Sequence, residues 1–160
     1  MRVAKSKQHQ TAQFKLSVEE MYKSGLGRYY AGDRAGAEQL LLQAAEHGDA
    51  KAQYAYGYIL HEEGYLPLEA GKHFARVLRW WTRAAEQGHI EAQFMVGAFH
   101  QLGLGTPFSE PKALKWLKLA ASRGHQGAHR WLSNIILRKL HTVPLVKLAL
   151  EPPEPPPQPS

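Results

Sequence analysis

The chain has 160 residues and no cysteine, which excludes disulfides, thiol catalysis and thiolate metal sites. Hydrophobic residues make up 44% and charged residues 21%, as in an ordinary soluble globular protein, and no apolar run reaches the roughly 18–20 residues that a membrane span requires. The formal net charge of +6 is concentrated in residues 111–150, which carry eight Lys or Arg and no acidic residue, and this asymmetry favours acidic partners.

The N-terminal residues 1–16 are basic but lack the apolar region of a secretory signal, so we expect a disordered or loosely ordered segment in a cytoplasmic protein. The first helix begins at Ser17, which forms a predicted capping box with Glu20, and it ends at Gly32. This helix has no predicted partner before it in the sequence. We therefore interpret it as the lone second helix of an incomplete unit, which covers one end of the array that follows.

Three helical hairpins are predicted next, each with a first helix, a glycine that ends it, and a second helix. Because the link between the two helices is only a few residues long, they are expected to be antiparallel neighbours. The first helices are predicted over residues 33–47, 73–87 and 109–123, and the second helices over residues 50–63, 90–102 and 125–141. Loop 64–72 is four residues longer than its counterpart in the next unit, and we interpret it as a connector.

The three hairpins share a repeated phrase, in which small Ala and Gly residues recur with offsets of 40 and then 36 residues. Self-similarity at such a period is typical of a stacked array of supersecondary units. The small residues are expected to let neighbouring helices approach closely, while tryptophans fill the wider gaps. The copies run from Ala44 to Gly57, from Ala84 to Gly97 and from Ala120 to Ser133.

This pattern resembles the Sel-one-like repeat, a relative of the tetratricopeptide repeat, over about residues 17–133. The resemblance implies an all-α fold, a right-handed α-solenoid of antiparallel helical hairpins with about three and a half repeats over residues 17–141. It also implies a non-enzymatic protein–protein interaction module, an adaptor or scaffold that holds a protein or peptide partner in a concave groove. One complete cycle of the family pattern is matched by Gly97, Gly103, Gly105, Lys112, Ala113, Trp116, Ala120, Ala121 and Gly124.

Candidate partner-binding residues come from the non-core positions of the predicted first helices. In related repeat folds these helices line the concave groove, so the resemblance implies a basic patch inside it. Arginine is suited to carboxylate recognition because its planar guanidinium forms paired hydrogen bonds. The alternative is an ordinary solvated helix face. The patch consists of Arg76, Arg79, Arg83, Lys112 and Lys115.

Other functions receive less support from the sequence. An immunity or antitoxin-type role, as in small bacterial proteins of this repeat type, is a narrower form of partner binding. Nucleic-acid or anionic-surface binding is suggested by the basic C-terminal half, but no nucleic-acid motif is present. His125 and His129 have the i, i+4 spacing of metal ligands but no further ligand near them in sequence, so we predict no metal, no cofactor and no catalytic residue.

The C-terminal end is divided into two segments. Residues 142–150 are apolar enough to form a C-terminal cap segment, and residues 151–160 form a proline-rich tail of polyproline II character. We expect this tail to be a solvated, mobile end, with the alternative that it is a ligand for an aromatic groove.

Overall fold

Seven α-helices and no β-strand are present in the residues described by this computed structural model, which are 16–63, 69–140 and 154–158. The predicted all-α solenoid of antiparallel hairpins is confirmed. The predictions for residues 1–15 and 142–150 and for most of the loop 64–72 lie outside the described residues. The helices are α1 Val18–Tyr30, α2 Arg34–Glu46, α3 Ala50–Glu62, α4 Ala70–Glu86, α5 Ile90–Leu102, α6 Glu110–Ser122 and α7 Gln126–Leu140.

Local hydrogen bonds fix where most of these helices begin and end. The predicted capping box is present at α1, where Ser17 Oγ accepts from the Glu20 amide at 3.2 Å and Glu20 Oε2 accepts from the Ser17 amide at 2.7 Å. Asp33 caps α2 by accepting from the Gly36 amide at 3.0 Å. Helix α4 begins at Ala70, three residues earlier than predicted, so that His73 lies buried inside the helix.

The pairing of helices differs from the one that the sequence predicted. Helix α1 packs most extensively against α2, α3 against α4, and α5 against α6, whereas α2–α3, α4–α5 and α6–α7 form the less extensive contacts between hairpins. The interpretation of α1 as a lone second helix is therefore wrong. The hairpins begin one helix earlier in the chain, and the predicted first helices α2, α4 and α6 are the second helices of the hairpins.

Helical glycines explain this closer pairing. A β-carbon on Gly57 in α3 would lie 2.6 Å from two atoms of the Trp81 indole in α4. A β-carbon on Gly25 or on Gly97 would likewise lie 2.7 or 2.8 Å from Cγ of the facing leucine in α2 or α6. Each glycine thus allows an odd-numbered helix to approach the even-numbered helix that follows it, as predicted from the small residues of the repeat.

A buried glutamine links each of the first two hairpins to the next. Gln53 at the start of α3 donates from Nε2 to the carbonyl of Ala45 in the last turn of α2, at 3.1 Å. Gln93 at the start of α5 makes the same bond to Ala85 in α4, also at 3.1 Å. Each carbonyl also accepts from the amide of the glycine that ends the helix, Gly48 at 3.0 Å or Gly88 at 2.9 Å, so the glutamine supplies a second bond to it. The repeated Ala-Gln pair thus has a structural role in joining neighbouring hairpins.

Candidate partner-binding surfaces

All five predicted partner-binding residues have exposed side chains. Arg76, Arg79 and Arg83 follow one side of α4, and Lys112 and Lys115 lie in the first two turns of α6, the next even-numbered helix. None of the ion pairs found among the described residues involves any of the five. We call these five residues the basic surface.

Two residues of the basic surface lie over tryptophan rings. Arg83 Cζ is 4.6 Å from the centroid of the Trp80 ring, and Lys115 Nζ is 5.6 Å from that of Trp116. Both distances are within the range of a cation–π interaction. The rings are half-buried, so each tryptophan packs on the core with one part and supports a cation with another.

A groove runs along helices α1 and α3, which contact each other directly on this side of the stack. We call this feature the tyrosine groove, because Tyr22 and Tyr30 of α1 and Tyr54 and Tyr58 of α3 line it. No residue of the basic surface lines either of the two cavities along it, so the basic surface and the tyrosine groove are different surfaces.

The tyrosine groove contains two cavities. One, of about 520 Å³, is bounded by Tyr22, Lys51, Tyr54 and His89 among others. The second, of about 550 Å³, lies towards the other end of α1 and α3 and is lined by Pro155 of the tail, the backbone at Gly32 and five further side chains. Those side chains are Tyr29, Tyr30, Arg34, Tyr58 and Glu62.

Residues 154–158 of the proline-rich tail lie in the tyrosine groove. The Tyr54 hydroxyl donates to the carbonyl of Glu154 at 2.6 Å, and the Tyr30 hydroxyl donates to the carbonyl of Pro156. Pro156 is buried, and Pro155 borders both cavities. The expectation that the tail is solvated is therefore wrong for Pro156, because the groove buries this residue and supplies hydrogen-bond donors to the tail.

Sequence reasoning missed the tyrosines of this groove as functional candidates. A signal was available, since six of the seven tyrosines fall between residues 22 and 58. Burial raises the pKa of the Tyr54 phenol above its usual value, so this hydroxyl remains a protonated donor at neutral pH. The pKa of Tyr29 is raised by burial and by its hydrogen bond to Glu62, whose Oε2 lies 2.8 Å from the hydroxyl.

The histidines at the hairpin junctions act as helix caps. The Nδ1 atom of His89 accepts from the Ala92 amide at 3.3 Å, and that of His125 accepts from the Ala128 amide at 3.1 Å. Asp49 occupies the same position before α3. Burial lowers the pKa of both histidines, which favours the neutral imidazole that a cap requires. No cluster of three or more potential metal ligands occurs among the described residues.

The repeat assignment is decided by comparison with protein families. The Sel1 repeat model matches residues 10–49, 50–76, 78–89 and 90–125, most of the chain. The chain belongs to the Sel1 repeat family. Two of the four matched segments start at the first residues of α3 and α5, the first segment contains α1 and α2, and segment 78–89 covers the end of α4 and the junction after it. Sel1 repeats are generally protein–protein interaction modules.

Similar proteins include much longer members of the family. The chain is 31% identical over 103 residues to human protein sel-1 homolog 2, with 62% of this chain and 15% of that protein aligned. It is 28% identical over 103 residues to mouse DAP3-binding cell death enhancer 1, with 64% of this chain and 19% of that protein aligned. The chain thus spans less than a fifth of the length of these relatives.

Two solved structures share the fold. A Sel1 repeat protein from Oxalobacter formigenes superposes with a TM-score of 0.64 at 31% identity, over 74% of this chain and 34% of that one. A protective antigen of uropathogenic Escherichia coli with the same repeat fold superposes with a TM-score of 0.65 at 23% identity, over 77% of this chain and 26% of that one.

In the part of the chain that the structure describes, no helix is long and apolar enough to cross a membrane.

Proposed function

We propose that this Sel1 repeat chain is a non-enzymatic adaptor, and that its basic surface binds an acidic face of a protein partner. The observation that carries the proposal is the exposure of five cationic side chains on two successive even-numbered helices, with no carboxylate paired to them among the described residues. Cations that have no carboxylate partner among the described residues are available to a partner.

The packing of these side chains supports recognition by more than net charge. An exposed ion pair contributes only about 0–1 kcal/mol, so a useful interface needs several that are held in place together. The rigid helix α4 spaces Arg76, Arg79 and Arg83 by three and four residues, and the Trp80 ring restricts the guanidinium of Arg83. Such preorganisation reduces the side-chain entropy that binding would otherwise cost.

Charge reversal of α4 tests the proposal. The variant Arg76→Glu, Arg79→Glu, Arg83→Glu should lose the partners that the native chain captures from its native lysate, as identified by mass spectrometry. The matched control, Arg76→Lys, Arg79→Lys, Arg83→Lys, keeps the charge but loses the planar guanidinium, so it should capture the partners more weakly than the native chain but more strongly than the charge-reversed variant. All three positions are exposed, so both variants should unfold at nearly the same temperature as the native chain.

The salt dependence of capture distinguishes protein from nucleic-acid partners. Capture of an acidic protein by a few exposed charges should weaken moderately with salt and should survive nuclease treatment. Nucleic-acid binding would be lost with nuclease and would fall steeply with salt. Unchanged capture by the charge-reversed variant, or captured material that nuclease removes, would contradict the proposal.

A further inference from the structure

The docking of residues 154–158 depends on backbone carbonyls and proline rings rather than on a particular polar side chain. The two carbonyls that accept hydrogen bonds belong to Glu154 and Pro156. Proline has no backbone N–H, so a proline-rich segment offers acceptors to a surface but few donors. The hydroxyls of Tyr30 and Tyr54 supply the matching donors.

The rigidity of such a segment also favours this groove. A polyproline II segment is extended before it binds and has no internal hydrogen bonds to break, so ordering it costs little. Burial of Pro156 against the groove adds apolar contact to the two hydrogen bonds. Aromatic grooves that bind proline-rich segments elsewhere combine the same two features.

The groove extends beyond the segment that it holds. Pro155 borders both cavities, so each side of the bound tail adjoins open space of about 520 or 550 Å³. Lys23 and Lys51 line the first cavity together with Glu91 and Glu154. Lys23 is paired with Glu19 at 2.8 Å, whereas Lys51 has no ion pair among the described residues and can face an acidic residue next to the prolines. A longer proline-rich segment with flanking acidic residues would therefore find further contacts.

We propose that the tyrosine groove is a docking site for an acidic, proline-rich segment of a partner protein in polyproline II conformation, and that the chain's own residues 154–158 occupy it as an intramolecular competitor. This site is separate from the basic surface, so either proposal can fail without the other. A partner segment gains access when the tail leaves, and the tail is displaced when the partner segment binds.

The covalent connection between the tail and the groove sets the size of the expected competition. We take an effective concentration of about 1 mM for the tail at its own site. If the tail alone binds with a Kd of about 0.1 mM, the groove is about 90% occupied by the tail, and a separate segment binds about tenfold more weakly than it would to an empty groove. Removal of the tail's prolines should therefore strengthen binding about tenfold.

A synthetic peptide with the sequence of residues 151–160, EPPEPPPQPS, carrying an N-terminal fluorophore, is the probe. Its fluorescence anisotropy is measured against the native full-length chain and against the full-length variant Pro155→Gly, Pro156→Gly, Pro157→Gly. The variant should bind the peptide about tenfold more tightly than the native chain. A peptide of the same charge with alanine in place of every proline should bind at least tenfold more weakly than the probe.

Hydroxyl removal locates the binding site. Tyr30→Phe and Tyr54→Phe, each added to the proline-substituted chain, should weaken peptide binding about three- to tenfold, which is the effect of one lost hydrogen bond. Tyr56→Phe is the matched control, because Tyr56 lies on the same helix as Tyr54 but packs against Trp80, with ring centroids 5.3 Å apart. It should leave peptide binding unchanged.

Three results would overturn the proposal. Equal affinity of the native and proline-substituted chains for the peptide would show that the tail does not compete. Equal affinity for the alanine peptide would show that proline is not recognised. Unchanged binding to both the Tyr30→Phe and the Tyr54→Phe chains would show that the peptide binds elsewhere. Circular dichroism of each variant checks that weaker binding is not caused by loss of the fold.

Discussion

The contact between Gly57 and Trp81 makes a quantitative prediction about the packing of α3 on α4. In Gly57→Ala the added methyl group would lie 2.6 Å from Cδ1 and from Nε1 of Trp81, about 0.8 Å closer than the 3.4 Å at which ordinary contact begins. Trp81 is fully buried, and its Nε1 donates to the Tyr54 carbonyl at 3.2 Å, so the ring cannot move away without losing that bond.

Three contributions determine the expected change. Alanine is favoured over glycine inside a helix by about 1 kcal/mol. Overpacking a core typically costs about 1–3 kcal/mol, and losing the indole hydrogen bond costs about 1 kcal/mol more. We therefore expect the free energy of unfolding of Gly57→Ala to fall by about 1–3 kcal/mol, measured by urea denaturation with circular dichroism.

Gly27→Ala in α1 is the matched control. A β-carbon at Gly27 would meet no atom within 4 Å, so only the helix preference applies and the free energy of unfolding should rise by about 0.5–1 kcal/mol. If Gly57→Ala is as stabilising as Gly27→Ala, the glycine is not required for close approach, and our account of the helix pairing is refuted.

Two further predictions concern the junctions between hairpins. Burial lowers the pKa of His61, His89, His100 and His125 below the usual value of about 6.5 for histidine, so the folded state resists their protonation. The free energy of unfolding should therefore change little between about pH 7 and 8 and decrease as the pH falls from about 6.5 to 5. Carboxylates with lowered pKa values, such as that of Asp33, affect stability only at lower pH. The double variant His89→Asp, His125→Asp should show a smaller decrease, because an aspartate caps α3 at the equivalent position. The measurement is urea unfolding at pH 7, 6 and 5, and an unchanged pH profile would contradict the role of the two histidine caps. Gln53→Leu should lower the free energy of unfolding by about 1–3 kcal/mol, because it removes the bond to Ala45 and the bond that Gln53 Oε1 accepts from Gln87 at 2.9 Å. Gln93→Leu should cost less, since Gln93 Oε1 has no hydrogen-bond partner among the described residues, and equal losses in thermal denaturation would count against this explanation.

Local features of the fold could be predicted from the sequence because they depend on neighbouring residues. The capping box at Ser17, the cap at Asp33 and the glycines that end helices each act within one turn. The pairing of helices could not be predicted in the same way. A short link makes two helices neighbours, but whether α2 packs more closely on α1 or on α3 depends on the fit of Gly25 against Leu41 across the hairpin.

The two candidate surfaces differ in how far the sequence could predict them. Helical periodicity places Arg76, Arg79 and Arg83 on one side of α4, and the structure confirms that they are exposed. The tyrosine groove combines residues 100 and 126 positions apart in the sequence. No periodicity in the sequence connects the tail with α1 and α3, so only the folded chain brings them together.

The seating of the tail also has a consequence for the order of folding. Every extensive helix contact in the described stack joins helices that follow each other in sequence, so the stack has low contact order and is expected to fold rapidly. The bonds from Tyr30 and Tyr54 to the tail join residues that are 126 and 100 positions apart in the sequence. Closing such long loops has a larger entropic cost, so these bonds should form late in folding. Helices α1 to α5 also leave the ribosome before residues 154–158 are made, so a newly synthesised chain has a complete and vacant groove before its own competitor arrives.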